Sequence, residues 1–422
     1  MEAIDGLTDP YAAALWMEQQ LKDMNGFYRK GRFFVASGNQ YEEYSSKELH
    51  NIIFDLLKSK GSDVKAKYIL DYLARKLENN EDNFEIIPFS NGYTDQQGLF
   101  ISSPKYRIEY KQTDVIPHEY DILAVPEKWL KFLDDVFDGD DDKDQKIAVI
   151  QEWFGYCMDR SLNLHKALVL YGDGGNGKSV ILDVLAAIFP HITRLEWHEL
   201  NEQRNLERLV GSWVNIATEI SYKDNTGTTG FKKAIAGEAM TANPKYKQPF
   251  DFKPHAKFAF ATNGLPMVDD ISNGVFRRLM VINLNNSFVG KEDWSLTSKL
   301  IKEMPGILVW ANIGLQRLRK NHKFTEVPSN LLELAEYRRA INSLQSFYDE
   351  ELEMYEGQTL SFSEFYRKYT SYCHETSNRP FARNKVRSVV NQLGLKLSVY
   401  TGTDNIRMVK ALAHINNGRS SF

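Results

Sequence analysis

KALVLYGDGGNGKSVILDVLAAIF, residues Lys166–Phe189, is the stretch on which the fold turns. Its first part, Ala167–Tyr171, is an unbroken apolar run, the composition of a strand buried on both faces of a parallel sheet. Its last part, Val180–Phe189, spaces Val180, Ile181, Val184, Leu185 and Ile188 as a helix does. Between them stands Gly172-x4-Gly177-Lys178-Ser179, the phosphate-loop pattern. Gly172, Gly174, Gly175 and Gly177, with Asn176 among them, let successive backbone N–H groups turn toward phosphate oxygens. The helix N-terminus adds its positive end. Lys178 is expected to reach the β- and γ-phosphates, and Ser179 to hold Mg²⁺ through its hydroxyl. The bland alternative is a glycine-rich structural turn, and the flanking strand and helix argue against it. The loop alone defines no activity, since kinases, motors and switches share it.

Outward from the loop, short apolar strands alternate with helical stretches from 166 to about 290, which predicts a parallel α/β core. The strand Trp213–Thr218 ends in Glu219, a carboxylate able to orient water or join a magnesium shell. Many such ATPases have two adjacent acids there. Here Thr218 takes the first place, so Glu219 is read as the water activator, with Mg²⁺ held mainly by Ser179 and phosphate. A third strand, Lys257–Thr262, ends in Asn263, an amide expected between the two earlier strands, where it could sense a γ-phosphate. Arg277 and Arg278 precede the strand Leu279–Leu284 and suit a finger entering a neighbouring subunit's site. Each residue has a plain alternative: an exposed strand-end glutamate, an ordinary Asn-Gly turn, a pair of surface arginines. Their order after the loop makes the functional reading informative.

The segment Ala242–Phe252 reads as a β-hairpin with Lys245, Tyr246 and Lys247 at its tip. Lysines there could grip phosphate while tyrosine stacks on a base; a solvated turn is the alternative. Near the C-terminus, Ser361-Phe-Ser-Glu364 is a capping box that opens a helix with Phe362, Phe365, Tyr366, Tyr369 and Tyr372 on its apolar side. A second helix buries Val386, Val389, Val390 and Leu393, and presents Arg383, Lys385, Arg387 and Asn391. Leu395–Tyr400 and Ile406–Leu412 then form a hairpin wing. This is a winged-helix-like pattern, with Arg383, Lys385 and Arg387 expected to face DNA, although many such modules bind protein.

The chain has 422 residues, 42% hydrophobic and 26% charged. That balance excludes a wholly disordered chain, a collagen-like fibre and a membrane-embedded protein. No stretch approaches the ~20 apolar residues that cross a bilayer, and MEAIDGLTDP lacks a basic segment followed by an apolar run, so no secretory signal is expected. Two cysteines, Cys157 and Cys373, argue against a disulfide framework or a cysteine zinc site and suit a reducing cytoplasm. The net charge of −4 is unevenly spread. Residues 134–144 hold seven aspartates and one lysine, read as a solvated linker without calcium-loop spacing. Residues 357–422 hold ten Lys/Arg against three Asp/Glu, a local basic module suited to a polyanion. The expected organisation is a mixed α+β collar over 1–125, a helical lead-in over 126–165, the core over 166–290, a helical connector over 291–356 and the basic module over 357–422. Residues 1–125 carry no ligand-like or triad-like spacing.

Taken together, "GDGGNGKS", "VNIATE", "GEAMTANPKYKQPFDFKPHAKFAFATNGLP" and "GVFRRL" resemble superfamily 3 helicases of the phage and plasmid primase type, from about Gln151 to Leu284. The preceding "FSNGYTDQQGLFISSPK" and "IQEWFGYCM" are similar to the domain that leads into this motor, and the C-terminus more weakly to the winged helix that follows it. The resemblance implies an AAA+ phosphate-loop core that hydrolyses ATP with Mg²⁺ at subunit interfaces of a ring, usually hexameric. It also implies movement on single-stranded or forked DNA beside a primase or DNA polymerase. It makes Lys178 and Ser179 the loop pair, Glu219 the acidic residue, Asn263 the sensor, and Arg278, or else Arg277, the finger. Lys232 would contact a neighbour's ATP. Catalytic primase motifs are absent from this sequence. The expected role is a replicative helicase, in the host cytoplasm if phage- or plasmid-encoded. The rivals are an ATP-switched DNA-binding initiator or loader and, less favoured, a small-molecule kinase.

Overall fold

A computed structural model describes residues 9–29, 31–57, 62–79, 83–218, 227–245, 248–265, 273–341, 343–351, 359–376, 380–389, 395–399 and 407–411. Helix α1 (Pro10–Asp23) opens on Asp9, whose carboxylate accepts the Tyr11 and Ala12 amides. Strands β1 (Phe27–Arg29), β2 (Arg32–Ser37) and β3 (Gln40–Ser45) form an antiparallel sheet. Helices α2 (Ser46–Leu57) and α3 (Ser62–Lys76) complete this unit around Ala13, Met17, Leu49, Ile53 and Ile69. A small sheet of β4 (Ile87–Phe89), β5 (Gly92–Thr94) and β6 (Phe100–Ile101), then the short α4 (Tyr106–Glu109), lead to α5 (Glu127–Val136) and α6 (Lys143–Met158).

The central sheet follows. Its strands are β7 (Ala167–Tyr171), β8 (Ile192–Thr193) and β9 (Val214–Ala217), with α7 (Lys178–Ile188) between β7 and β8. Next come α8 (Thr229–Ala236), the pair β10 (Met240–Ala242) and β11 (Phe250–Phe252), and then β12 (Lys257–Thr262), α9 (Asn273–Phe276) and β13 (Leu279–Asn283). The order is β13-β7-β12-β9-β8, every pairing parallel. Alternate residues serve opposite cores, as the period of two requires. Leu168, Leu170, Ile216, Ala259 and Ile282 pack toward α6, α7 and the long α11 (Met304–Asn321). Ala167, Val169, Phe258, Phe260 and Val281 face Trp197, Phe231 and the C-terminal elements.

After β13 come α10 (Leu296–Ile301), α11, α12 (Pro328–Ile341) and α13 (Ser343–Glu351). Helices α6 and α11 approach closely at glycines: a Cβ on Gly155 would stand 2.4 Å from the Ala311 carbonyl oxygen, and one on Gly314 2.5 Å from that of Gln151. The fully buried Glu152 accepts from Arg317 Nε at 2.6 Å and from Thr325 N and Oγ1 at 2.8 and 2.7 Å. Beyond them lie β14 (Thr359–Ser361), α14 (Phe362–Glu375), α15 (Arg383–Val389), β15 (Leu395–Val399) and β16 (Arg407–Ala411). The three strands form an antiparallel sheet in the order β14-β16-β15. Ser361 caps α14, accepting the Glu364 amide at 3.2 Å.

The aspartate run corrects a sequence reading. It is not a merely solvated linker, because Asp140 and Asp142 are nearly buried around Lys146, whose Nζ lies 2.8 and 3.5 Å from their carboxylates. Lys146 also donates to the Asn283 carbonyl, and Asp142 accepts the Ser329 amide. A buried ammonium needs opposite charge beside it, so two of the aspartates turn inward and tie the α5–α6 connection to the end of β13.

Lys257 opens β12 inside the protein. Its ammonium sits 4.4 Å from the Tyr156 ring centroid and donates to the Leu162 carbonyl. Burial pushes its pKa from 10.5 down to about 8. Between those values the unfolded chain holds a proton that the folded chain lacks, so Lys257 makes stability rise with pH there. In urea melts from pH 7 to pH 10, wild type should gain about 2–3 kcal/mol on Lys257→Met. A difference that stays flat with pH would refute the burial argument.

Candidate nucleotide site

The glycine loop joins β7 to α7. Gly172 and Gly177 have φ of 141° and 94°, a region that side-chain-bearing residues avoid. Space forbids a side chain as well: a Cβ on Gly172 would meet the Leu284 carbonyl oxygen at 2.5 Å. The loop is clasped by the chain leaving β13. Leu284 N donates to Tyr171 O at 2.8 Å, and Phe288 N to Gly175 O at 2.7 Å. Asn176 is buried and donates to Leu284 O at 3.0 Å. Its side chain is therefore part of the scaffolding of the loop.

Lys178 begins α7 and curls back into the loop. Its Nζ donates to Gly172 O at 2.6 Å, Asp173 O at 2.7 Å and Asn176 Oδ1 at 3.0 Å. Two carbonyls and an amide oxygen leave its charge unmatched. Burial lowers its pKa, with Asp173 acting in the opposite direction. The next residue, Ser179, is exposed. An unmatched ammonium, a free hydroxyl and glycine N–H groups form a donor set that fits a polyphosphate and its cation. Among the described residues there is no separate cluster of three or more His, Cys, Asp or Glu able to hold a metal.

Strand β12 lies between β7 and β9, so their C-terminal ends converge beside the loop. A cavity of about 1000 Å³ opens there, lined by Gly174–Ser179 and by Thr218 and Asn263 at the strand ends. Glu219 lies outside the described residues. The remaining wall carries no sequence motif: Lys128, Lys131 and Phe132 of α5 on one side, Phe288, Lys291 and Trp294 on the other. Only tertiary structure brings these stretches to the loop.

Lys232 lies half-buried on α8, apart from the cavity lining. The arginine pair divides. Arg278, the first choice for a finger, is buried, and its Nη1 donates to the Gly274 carbonyl at 2.5 Å within the same chain. Arg277 is exposed, with its carbonyl held by Lys166 Nζ at 2.6 Å. Of the two, Arg277 is the one whose side chain is exposed on this chain. Neither lines this chain's own cavity.

β10 and β11 pair with Ala242 opposite Phe250, so the expected hairpin forms and carries the exposed Lys245 between its strands. Tyr246 and Lys247 lie outside the described residues, as does the side chain of Lys385. Arg383 and Arg387 pack back onto α14. Arg383 donates to Ser363 Oγ at 2.6 Å, and Arg387 lies 4.8 Å from the Phe362 ring centroid. Arg383 remains exposed.

A parallel sheet whose glycine loop feeds a helix N-terminus is compatible with a phosphate-loop core. Residues 170–278 match a family of unknown function, DUF5906. The chain is 25% identical over 289 residues to "Putative helicase L207/L206" of Acanthamoeba polyphaga mimivirus. That match covers 64% of this chain, which spans 28% of the mimivirus protein's length. In fold, the chain is similar to the NrS-1 C-terminal region in its A-form apo structure, with a TM-score of 0.53 and 14% identity over 96% of this chain and 100% of that one. A second apo structure of that region, residues 305–718, gives 0.50 and 13% over 95% and 99%. Among the described residues, no helix is long and apolar enough to cross a membrane.

Proposed function

We propose that this protein is an ATP-hydrolysing DNA helicase motor of the superfamily 3, AAA+ type. It works as a ring, hexameric by family resemblance, beside a primase or primase-polymerase. The observation that carries the reading is the convergence of Lys178, Ser179, Thr218 and Asn263 on one cavity, with β12 between β7 and β9. The mimivirus relative's printed name supports the helicase assignment.

In this reading Lys178 and the loop amides bind the triphosphate of ATP, and Ser179 contributes a hydroxyl to its Mg²⁺. The cation, when bound, neutralises charge on the β- and γ-phosphates. Glu219 orients the attacking water, and Asn263 senses the terminal phosphate. Arg277, rather than the buried Arg278, reaches the neighbouring subunit's site. Lys232 serves the same interface. Lys245, Tyr246 and Lys247 at the hairpin tip follow one DNA strand, with Arg383, Lys385 and Arg387 as secondary contacts.

The test is ATP-driven unwinding of a forked duplex by wild type and Lys178→Ala side by side, with ATP turnover measured with and without single-stranded DNA. Unwinding by wild type alone, with turnover raised by DNA, is the expected result. Turnover and DNA binding without unwinding would refute the motor and favour an ATP-switched initiator.

A further inference from the structure

Trp294 is 95% exposed, whereas Trp129, Trp153 and Trp197 are exposed by 1% or less. An indole is large and amphipathic, with a flat face able to stack on another ring. The turn that carries it is held by hydrogen bonds. Asp293 accepts from Ser295 N at 2.9 Å, Ser295 Oγ at 2.5 Å and Lys299 Nζ at 2.7 Å, which fixes the turn into α10. Those bonds hold the Asp293 carboxylate well below the usual range, at about 2.

Trp294 lines the same cavity as the glycine loop. Phe132 stands near the loop itself, its ring edge 3.3 Å from where a Cβ on Gly177 would be. Phe288 joins the loop through its amide on Gly175 O. The cavity of about 1000 Å³ reaches the upper end of the range for whole small-molecule ligands, so a polyphosphate chain leaves part of it unfilled. Its remainder sets the rings of Phe132, Phe288 and Trp294 among charged groups, Lys128, Lys131 and Lys291 and the carboxylate of Asp135. Rings set among charged groups suit a flat base with a polar edge.

We infer that Trp294 is the stacking platform for the nucleobase of a nucleoside triphosphate, held between α5 and the turn into α10. This rests on the reading of the glycine loop as the phosphate site and adds the part of the ligand that the loop does not recognise. Trp294 thereby becomes the residue that separates a nucleotide from a bare polyphosphate.

The experiment is calorimetric binding of Mg-ATP and Mg-tripolyphosphate to wild type, Trp294→Ala, Trp294→Phe and Lys178→Ala. Trp294→Ala should weaken ATP about 5- to 100-fold and leave tripolyphosphate within about twofold; Trp294→Phe should recover most of the loss. Lys178→Ala should weaken both ligands. Equal losses of ATP and tripolyphosphate in Trp294→Ala, or no loss of either, would overturn the stacking role. So would a Trp294→Ala protein that loses single-stranded DNA binding while keeping its ATP affinity. Wild type that binds neither ligand would overturn the phosphate site and this inference with it.

Discussion

Replacing Lys178 with alanine is expected to remove ATP turnover, by a factor of at least about 10³. The side chain is poised inside the loop, and its present partners are neutral oxygens of Gly172, Asp173 and Asn176. A triphosphate would give it anionic partners in a site where burial strengthens each interaction. The fold should survive, because the glycine loop is held independently by bonds to Leu284 and Phe288. Circular dichroism and melting temperature close to wild type, with turnover at background, are the expected pair of results. A Lys178→Ala protein that hydrolyses ATP within tenfold of wild type would exclude this loop as the active site.

Arg277→Ala is expected to leave ATP affinity within a few-fold and to lower turnover by about 10³ or more, the range of a charge-stabilising finger. Arg278→Ala should act on the fold. Its guanidinium is buried and holds the Gly274 carbonyl, so its loss should cost about 1–3 kcal/mol in a denaturant melt. Mixing gives the sharper measurement. Arg277→Ala has an intact loop and Lys178→Ala an intact finger, so combining two inactive proteins should restore part of the turnover if the finger acts across an interface. No recovery, with exchange of subunits verified, would exclude action in trans.

Several features were legible because they are local. The strand Ala167–Tyr171, the loop and the helix after it are consecutive, and each rule that forms them acts over a few residues. The capping of α14 by Ser361 is of the same kind. Even the place of β12 between β7 and β9 could be expected, because the strand ends had to converge on one loop. The inward turn of Asp140 and Asp142 was not legible. Seven aspartates within eleven residues read as solvated until Lys146 and the end of β13 are brought against them.

Arg277 and Arg278 make the same point at the candidate site. Adjacent arginines are equivalent in sequence, and the turn between α9 and β13 alone decides which one is buried. The cavity wall of α5 and Trp294 lies far along the chain from the loop on either side, with no motif to announce it. What the sequence by itself determined was the parallel α/β core and the phosphate-loop pattern within it, because hydrophobic periodicity and glycine freedom are local properties. What only the tertiary structure decided was which charges are buried, which arginine is exposed and which aromatic rings complete the cavity. Those depend on how whole segments pack, some of them more than 100 residues apart, as Asn176 and Leu284 are, and sequence pattern alone does not carry that information.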